Sequence, residues 1–326
     1  MDLGVYLDVR NPRPWRRSWA EVYRAALSLC ERVEELGGRS VWLSEHHLFD
    51  DGYLPQPLTL AAAIATRTQS VRIGTAVYLA PLRPAAQILE EAAIVDLLSE
   101  GRLDLGLGAG YRPAEFELYG VPGARPMGQM FGRVEEIRSL IEAGEVTPPP
   151  FQQRLPIWIG ANRAKGARRV GRLGEGLLSV QSGQAEEYVA GLVEGGHPAD
   201  SARMAGPVNV FLSDDPERDW PTVSRYFEYQ WRSYDEEAGR SREIDLEGAR
   251  SRGLEGGLRG CLVATAAEAA VELRRHLAEV PVATVFTWGW LPGVPADTVD
   301  RHLELWCTDL ARELADAGTA TPDDDR

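Results

Sequence analysis

The sequence predicts an α/β fold, a (β/α)8 TIM barrel carrying an insertion near its C-terminal rim. Two observations point there. Short apolar runs alternate with segments of helical period from end to end, and continuous apolar runs are those of parallel strands buried on both faces. About eight such βα units fill 326 residues, and eight units in roughly 250 or more residues is the size of a closed barrel.

The elements follow in order. Residues 3–7 read as the first strand, and 19–36 as a helix that stops at Gly37-Gly38. Residues 41–44 form the second strand and 58–68 the next helix. Residues 71–79 read as one long third strand, and 86–98 as a helix with Ile88, Leu89, Ala92, Val95 and Leu98 near 3.6 spacing. Strands at 103–107, 157–159, 177–180, 208–212 and 282–287 and helices at 130–143, 164–173 and 299–314 complete the alternation. Thr265 and Glu268 form a capping-box pair opening a helix to Leu277. The expected organisation is a single barrel domain over residues 1–318, with an insertion at about 214–258, and an acidic, disordered tail at 319–326.

Composition excludes several classes. Hydrophobic residues are 44% and charged residues 26%, an ordinary globular balance. Thirty-five basic against 49 acidic residues give a net charge of −14, which argues against a partner such as nucleic acid. No apolar run approaches the ~18 residues that span a membrane, and the first residues, which enter a strand-like run, are not expected to be a signal segment. Cys30, Cys261 and Cys307 lack Cys-x-x-Cys spacing, so disulfides and zinc are not expected and the cytoplasm is the expected compartment.

Chemistry in a parallel barrel sits where strands end and βα loops begin. The second strand ends at Glu45-His46-His47. Histidine suits proton transfer near neutral pH, and the alternative is a structural pair capping a loop. Adjacent strand residues face opposite ways, so Glu45 is not expected to pair with the His46 ring. His46 is assigned the proton transfer and His47 a supporting role in the loop. No metal-ligand spacing appears.

Gly106-Leu107-Gly108-Ala109-Gly110-Tyr111 fails the dinucleotide pattern, because Tyr111 stands where the third glycine belongs and no clear helix starts there. It reads as a wide turn over which a flat ring can approach the backbone, or as a plain glycine-rich loop. Gly160-Ala161-Asn162 precedes a helix; with Arg163 and Lys165, the only lysine of the chain, it reads as an anion site, the alternative being an ordinary cap by Asn162. Trp220, Phe227 and Tyr234 share a helical face in the insertion and are read either as core or dimer packing or as a substrate-pocket wall. His197, His276 and His302 have no evident partner and are expected at the surface.

Taken together these segments resemble the bacterial luciferase-like flavin monooxygenase family. The densest stretch is residues 73–121, with Gly74-Thr75-Ala76-Val77, Pro81-Leu82-Arg83, Glu90-Glu91-Ala92, Asp96, Leu98-Ser99-x-Gly101-Arg102-Leu103 and Gly108-x-Gly110-Tyr111 in register. Trp42-x-x-Glu45-His46-His47 and Pro156-Ile157-Trp158-Ile159-Gly160 extend it. The resemblance implies a barrel, usually a homodimer, that binds reduced FMN (FMNH2) at the C-terminal rim. It implies a separate NAD(P)H:flavin reductase as donor, and O2 with a small organic molecule as substrates. His46 then falls on the family's active-site histidine, Ala76–Val77 on a non-prolyl cis peptide behind the flavin, Gly108, Gly110 and Tyr111 against the ring, and Gly160, Ala161, Asn162, Arg163 and Lys165 on the phosphate cradle. Two departures stand out. Pro84-Ala85 replace a His-Pro pair of many relatives, and Gly108-Ala109 replace the Cys-Arg pair of luciferase, which shifts phosphate binding towards Lys165 or Arg163. The alternatives are hydride transfer with the deazaflavin coenzyme F-420, whose relatives often carry Asp before the histidine, and a non-catalytic flavin-binding subunit.

Overall fold

The computed structural model describes residues 1–316, so the acidic tail expected at 319–326 and the expected domain end at 318 lie outside the described residues. Among the described residues there are eleven strands: β1 (Asp2–Leu7), β2 (Ser40–Leu43), β3 (Arg72–Thr75), β4 (Tyr78–Leu79), β5 (Leu103–Gly108), β6 (Ile157–Gly160), β7 (Gly176–Leu178), β8 (Met204–Pro207), β9 (Val210–Leu212), β10 (Leu262–Ala264) and β11 (Val282–Trp288). The main sheet runs β3-β2-β1-β11-β8-β7-β6-β5-β4, and β3 also pairs with β5, which closes it into a barrel. All its pairings are parallel, with β1 bridging β11 and β2. β3 and β4 act as one interrupted stave, so the barrel has eight staves.

Alternation along the staves separates two cores. Leu3, Val5, Leu7, Val41, Leu43, Leu105, Leu107, Ile157 and Ile159 pack in the larger core with the surrounding helices. Tyr6, Trp42, Trp158, Leu178, Ala205 and Phe286 form a second core inside the barrel. There Trp42 stacks on Phe286 with centroids 4.9 Å apart and meets Trp158 edge-on at 6.0 Å. A Cβ on Gly74 would stand 2.3 Å from the Trp42 ring, and one on Gly176 2.4 Å from the Trp158 ring, so each indole occupies the space a neighbouring strand vacates. The Trp158 indole N–H donates to Asp104 at 3.0 Å, and Asp104 pairs with Arg72 at 2.6 Å, which satisfies the polar groups at this depth.

The structure corrects the sequence reading at several points. The third strand is broken between Thr75 and Tyr78; the Ala76–Val77 peptide inside the break is cis, as the resemblance implied. The stave expected at 208–212 is Met204–Pro207 instead. Met-Ala-Gly-Pro is a poor strand by composition, and Pro207 is accommodated as its last residue. Val210–Leu212 leaves the barrel and pairs with Leu262–Ala264 in a separate two-stranded parallel sheet. A short helix, Pro113–Leu118, does start after β5, and a full helix, Ser182–Glu194, follows β7. The capping box of Thr265 and Glu268 is formed. Between β9 and β10 lie the helices Pro216–Glu237 and Leu246–Arg252 and a 3-10 segment, Gly253–Arg259. Trp220 and Phe227 pack into the inner core, whereas Tyr234 on the same helix reaches the rim cavity. Cys30, Cys261 and Cys307 are buried thiols. Among the described residues no helix is long and apolar enough to cross a membrane, and no group of three or more His, Cys, Asp or Glu is placed to hold a metal ion.

His302 was expected at the surface and is fully buried. Its ring stacks on Phe211 at 4.5 Å, and Nδ1 accepts the Leu212 N–H at 2.9 Å, linking the last helices to β9. Burial pulls its pKa down to about 4 against the opposing backbone hydrogen bonds. The unfolded chain therefore takes up this proton below pH ~6.5 while the folded one does not until pH ~4, so stability falls as pH drops through that window. Urea unfolding at pH 7 and pH 4 should show wild type losing roughly 3 kcal/mol more than His302→Asn, which retains an acceptor but does not titrate.

Candidate active site

The C-terminal ends of the staves open into a cavity of about 710 Å³. His46, Ala76, Val77, Gly108, Gly110, Tyr111, Gly160, Ala161, Asn162, Arg163 and Lys165 all line it. Of the residues the sequence assigned to catalysis or coenzyme binding, His47 stands behind the wall. The positions come from loops after β2, β5 and β6 and from the break between β3 and β4, so closure of the barrel is what gathers them.

His46 continues the inward side of β2 set by Trp42 and Ser44. Its Nδ1 lies 2.9 Å from Glu115 Oε1, and the same oxygen accepts the His47 backbone N–H at 3.0 Å and Arg112 Nη1 at 3.3 Å. Burial raises the Glu115 pKa, but the bond and charge of His46, the His47 amide and Arg112 outweigh it and hold the carboxyl below its ordinary value. An ionised carboxylate only accepts, so Nδ1 carries the proton and Nε2 of a neutral His46 is the proton-accepting nitrogen. Glu45 does not reach His46, as the strand geometry implied. Its carboxylate instead accepts His47 Nε2–H at 2.9 Å and the Leu79 N–H at 2.7 Å and pairs with Arg83 at 2.7 Å. Glu45 thus locks the β2 loop to the β4 stave, and His47 braces the Glu45 carboxylate.

Neither Glu115 nor the cluster behind His46 stands out in the sequence. Arg10, just past β1, pairs with Asp51 at 2.6 Å, donates to Ser233 at 2.6 Å, and lies among the rings of Phe49, Tyr53, Tyr229 and Tyr234. Asp8 beside it is buried, and burial pushes its pKa up to about 7. The available signal was position: Asp8 and Arg10 directly follow an apolar strand at the end where barrel sites lie.

Across the cavity, helix Ala164–Arg172 begins without a side-chain cap, so Asn162 does not cap it; the Gly166 and Ala167 N–H groups donate to the Arg163 carbonyl, and those of Ala164 and Lys165 stay open. Arg169 is spent on Glu135 and the Phe131 ring, and Arg172 on Glu194. Among the described residues the side chains of Arg163 and Lys165 have no hydrogen bond or ion pair. Unpaired cations at a helix N-terminus suit a phosphate. The cavity wall also carries apolar side chains: Ala76, Val77, Leu79, Leu178 and Phe286. A Cβ on Gly108 would come 2.1 Å from Val77, so only glycine lets β5 pass behind that wall. The donor set fits a planar ring with an anionic tail.

Glu115 generates a test. A depressed carboxyl pKa stabilises the fold above the ordinary value and loses that contribution as pH falls through the folded one. Glu115→Gln should cost about 1–3 kcal/mol at pH 7 by urea unfolding, and the difference from wild type should shrink below pH ~4.

Known proteins bear on this geometry. The chain is 32% identical over 158 residues to the oxygenase component of a flavin-dependent trigonelline monooxygenase of Acinetobacter baylyi, covering 43% of this chain and 44% of that one. It is 30% identical over 179 residues to an F420-dependent glucose-6-phosphate dehydrogenase of Amycolatopsis mediterranei, covering 48% and 53%. Matches of this kind span about a third to a half of the curated relatives' length. In three dimensions it is similar to a monooxygenase of Streptomyces bottropensis, with TM-score 0.82, 21% identity, and coverage of 96% of this chain and 99% of that one, a likeness of fold. The family model described as luciferase-like monooxygenase matches residues 1–283, and the chain belongs to that family.

Proposed function

We propose that the protein is the oxygenase of a two-component flavin-dependent monooxygenase. It takes reduced FMN from a separate NAD(P)H:flavin reductase and uses O2 to oxygenate a small organic substrate. The observation that carries this reading is one cavity joining unpaired Arg163 and Lys165 to a histidine whose Nδ1 proton is fixed by a buried carboxylate. Bound reduced FMN would supply the electrons that activate O2. Arg163, Lys165 and the open amides of helix Ala164–Arg172 hold the phosphate. Ala76, Val77, Gly108, Gly110 and Tyr111 lie against the ring. His46 Nε2 accepts and returns a proton beside it, and the loops after β2 and β5 with helix Pro216–Glu237 exclude water.

The second reading is hydride transfer with deazaflavin coenzyme F-420, supported by the similarity to the F420-dependent dehydrogenase. A non-catalytic subunit is disfavoured, since it would have no use for a cavity-facing histidine oriented by Glu115. The reaction is placed in the cytoplasm, in keeping with three unpaired thiols. A homodimer is supported by Ile94, Leu97 and Leu98, apolar side chains exposed on helix Ala85–Leu98.

Anaerobic titration with reduced FMN and reduced F-420 separates the two coenzymes, the first being expected to bind more tightly. Lys165→Ala should weaken reduced-FMN binding by about 1–3 kcal/mol and riboflavin, which lacks phosphate, far less; equal losses would remove Lys165 from the cradle. His46→Ala should lower turnover by roughly 10²–10⁴-fold while leaving reduced-FMN affinity within about threefold.

A further inference from the structure

Four hydroxyls meet at the cavity wall beside His46, those of Tyr6, Ser44, Tyr53 and Tyr234. Tyr6 donates to the Ala76 carbonyl at 2.5 Å and Ser44 to the Leu7 carbonyl at 3.3 Å. The other two share one bond, 2.7 Å between Tyr53 and Tyr234. That bond uses one of their two protons. The second can turn towards a guest, since hydroxyl protons rotate to the acceptor offered. Tyr53 is only 2% exposed, and burial holds both phenols well above their ordinary pKa, so they remain neutral donors.

The surroundings define what the guest is. The rings of Phe49, Tyr53, Tyr111 and Tyr234 stand tilted or edge-on around the His46 imidazole, at centroid distances of 5.2, 4.8, 5.6 and 5.8 Å, which favours a ring-bearing molecule. Charge around the pair is balanced. Arg10 is matched by Asp51, Arg83 by Glu45 and Arg112 by Glu115, and burial brings Asp8 to about 7. A carboxylate guest finds no unpaired cation here, because Arg163 and Lys165 follow β6, separated from β2 by the β3/β4 and β5 staves.

We propose that the Tyr53–Tyr234 pair is the polar subsite for the substrate, donating a hydrogen bond to the carbonyl oxygen of a neutral, ring-bearing ketone or quinone held beside His46. This rests on the oxygenase reading and names its substrate class.

The test uses the full chain without coenzyme and three ligands of one shape: 1-acetonaphthone, 1-ethylnaphthalene, which lacks the acceptor, and 1-naphthoate. Dissociation constants are read from tryptophan fluorescence. The ketone is expected to bind about fivefold tighter than the hydrocarbon, the worth of one hydrogen bond, with naphthoate weakest. Tyr53→Phe and Tyr234→Phe each keep one hydroxyl and retain part of this preference. The double variant should bring the ketone-to-hydrocarbon ratio to about one. Because the ratio is taken within one variant, a change in stability does not imitate it. A ratio near one in wild type, an unchanged ratio in the double variant, or tightest binding of naphthoate overturns the proposal. So does a loss of FMN affinity in the double variant that matches the loss for the ketone, which would put the pair under the coenzyme. No coenzyme enters the ketone measurement, so its failure leaves the oxygenase reading to be judged on Lys165 and His46.

Discussion

The rim of this barrel depends on one carboxylate. Glu115 Oε1 takes the His46 ring, the His47 amide and the Arg112 guanidinium at once. Arg112 in turn bonds the His47 carbonyl and Glu237, at the end of the long helix of the insertion. Three pieces of chain that share no backbone hydrogen bonding are thereby held in one arrangement: the loop after β2, the loop after β5, and the covering helix. A buried ion left without its partners is costly, on the order of 3–5 kcal/mol. The set therefore forms together or not at all, and it fixes which nitrogen of His46 meets the cavity.

The cavity is divided electrostatically by the same logic. Near His46 each guanidinium has a carboxylate within 2.6 to 3.3 Å, so strong local charges cancel and the wall is polar without being ionic overall. Across the barrel the start of helix Ala164–Arg172 carries the side chains of Arg163 and Lys165 with no anion among the described residues to meet them. An anionic ligand is drawn to that end and a neutral one is left the other. Both ends open into one cavity with apolar side chains in its lining, so a single extended ligand can touch both.

The insertion does two jobs with one stripe of aromatic residues. Trp220 and Phe227 close the inner core of the barrel, where they are buried with Phe211 and Val263. One turn pair further on, Tyr234 meets Tyr53 and the Arg10 cluster and becomes part of the cavity wall. Core packing and pocket wall were competing readings of the same spacing, and the helix realises each over part of its length.

The sequence by itself determined the barrel, because the outward residues of its staves are apolar and the intervening segments carry a helical period, both local properties of the chain. It also determined where to look: His46, Gly108–Tyr111 and Gly160–Lys165 are legible because a parallel barrel puts strand ends on one rim. It misjudged elements whose local composition argues against their role, such as the stave Met204–Pro207, and side chains whose burial is imposed from outside, such as His302. Only the tertiary structure decided the partners. Glu115 lies 69 residues from His46, Tyr234 lies 181 residues from Tyr53, and Ser233 lies 223 residues from Arg10. No spacing along the chain encodes such meetings. They exist because closing eight staves brings the ends of β1, β2 and β5 under one helix, and the charges buried there must find each other.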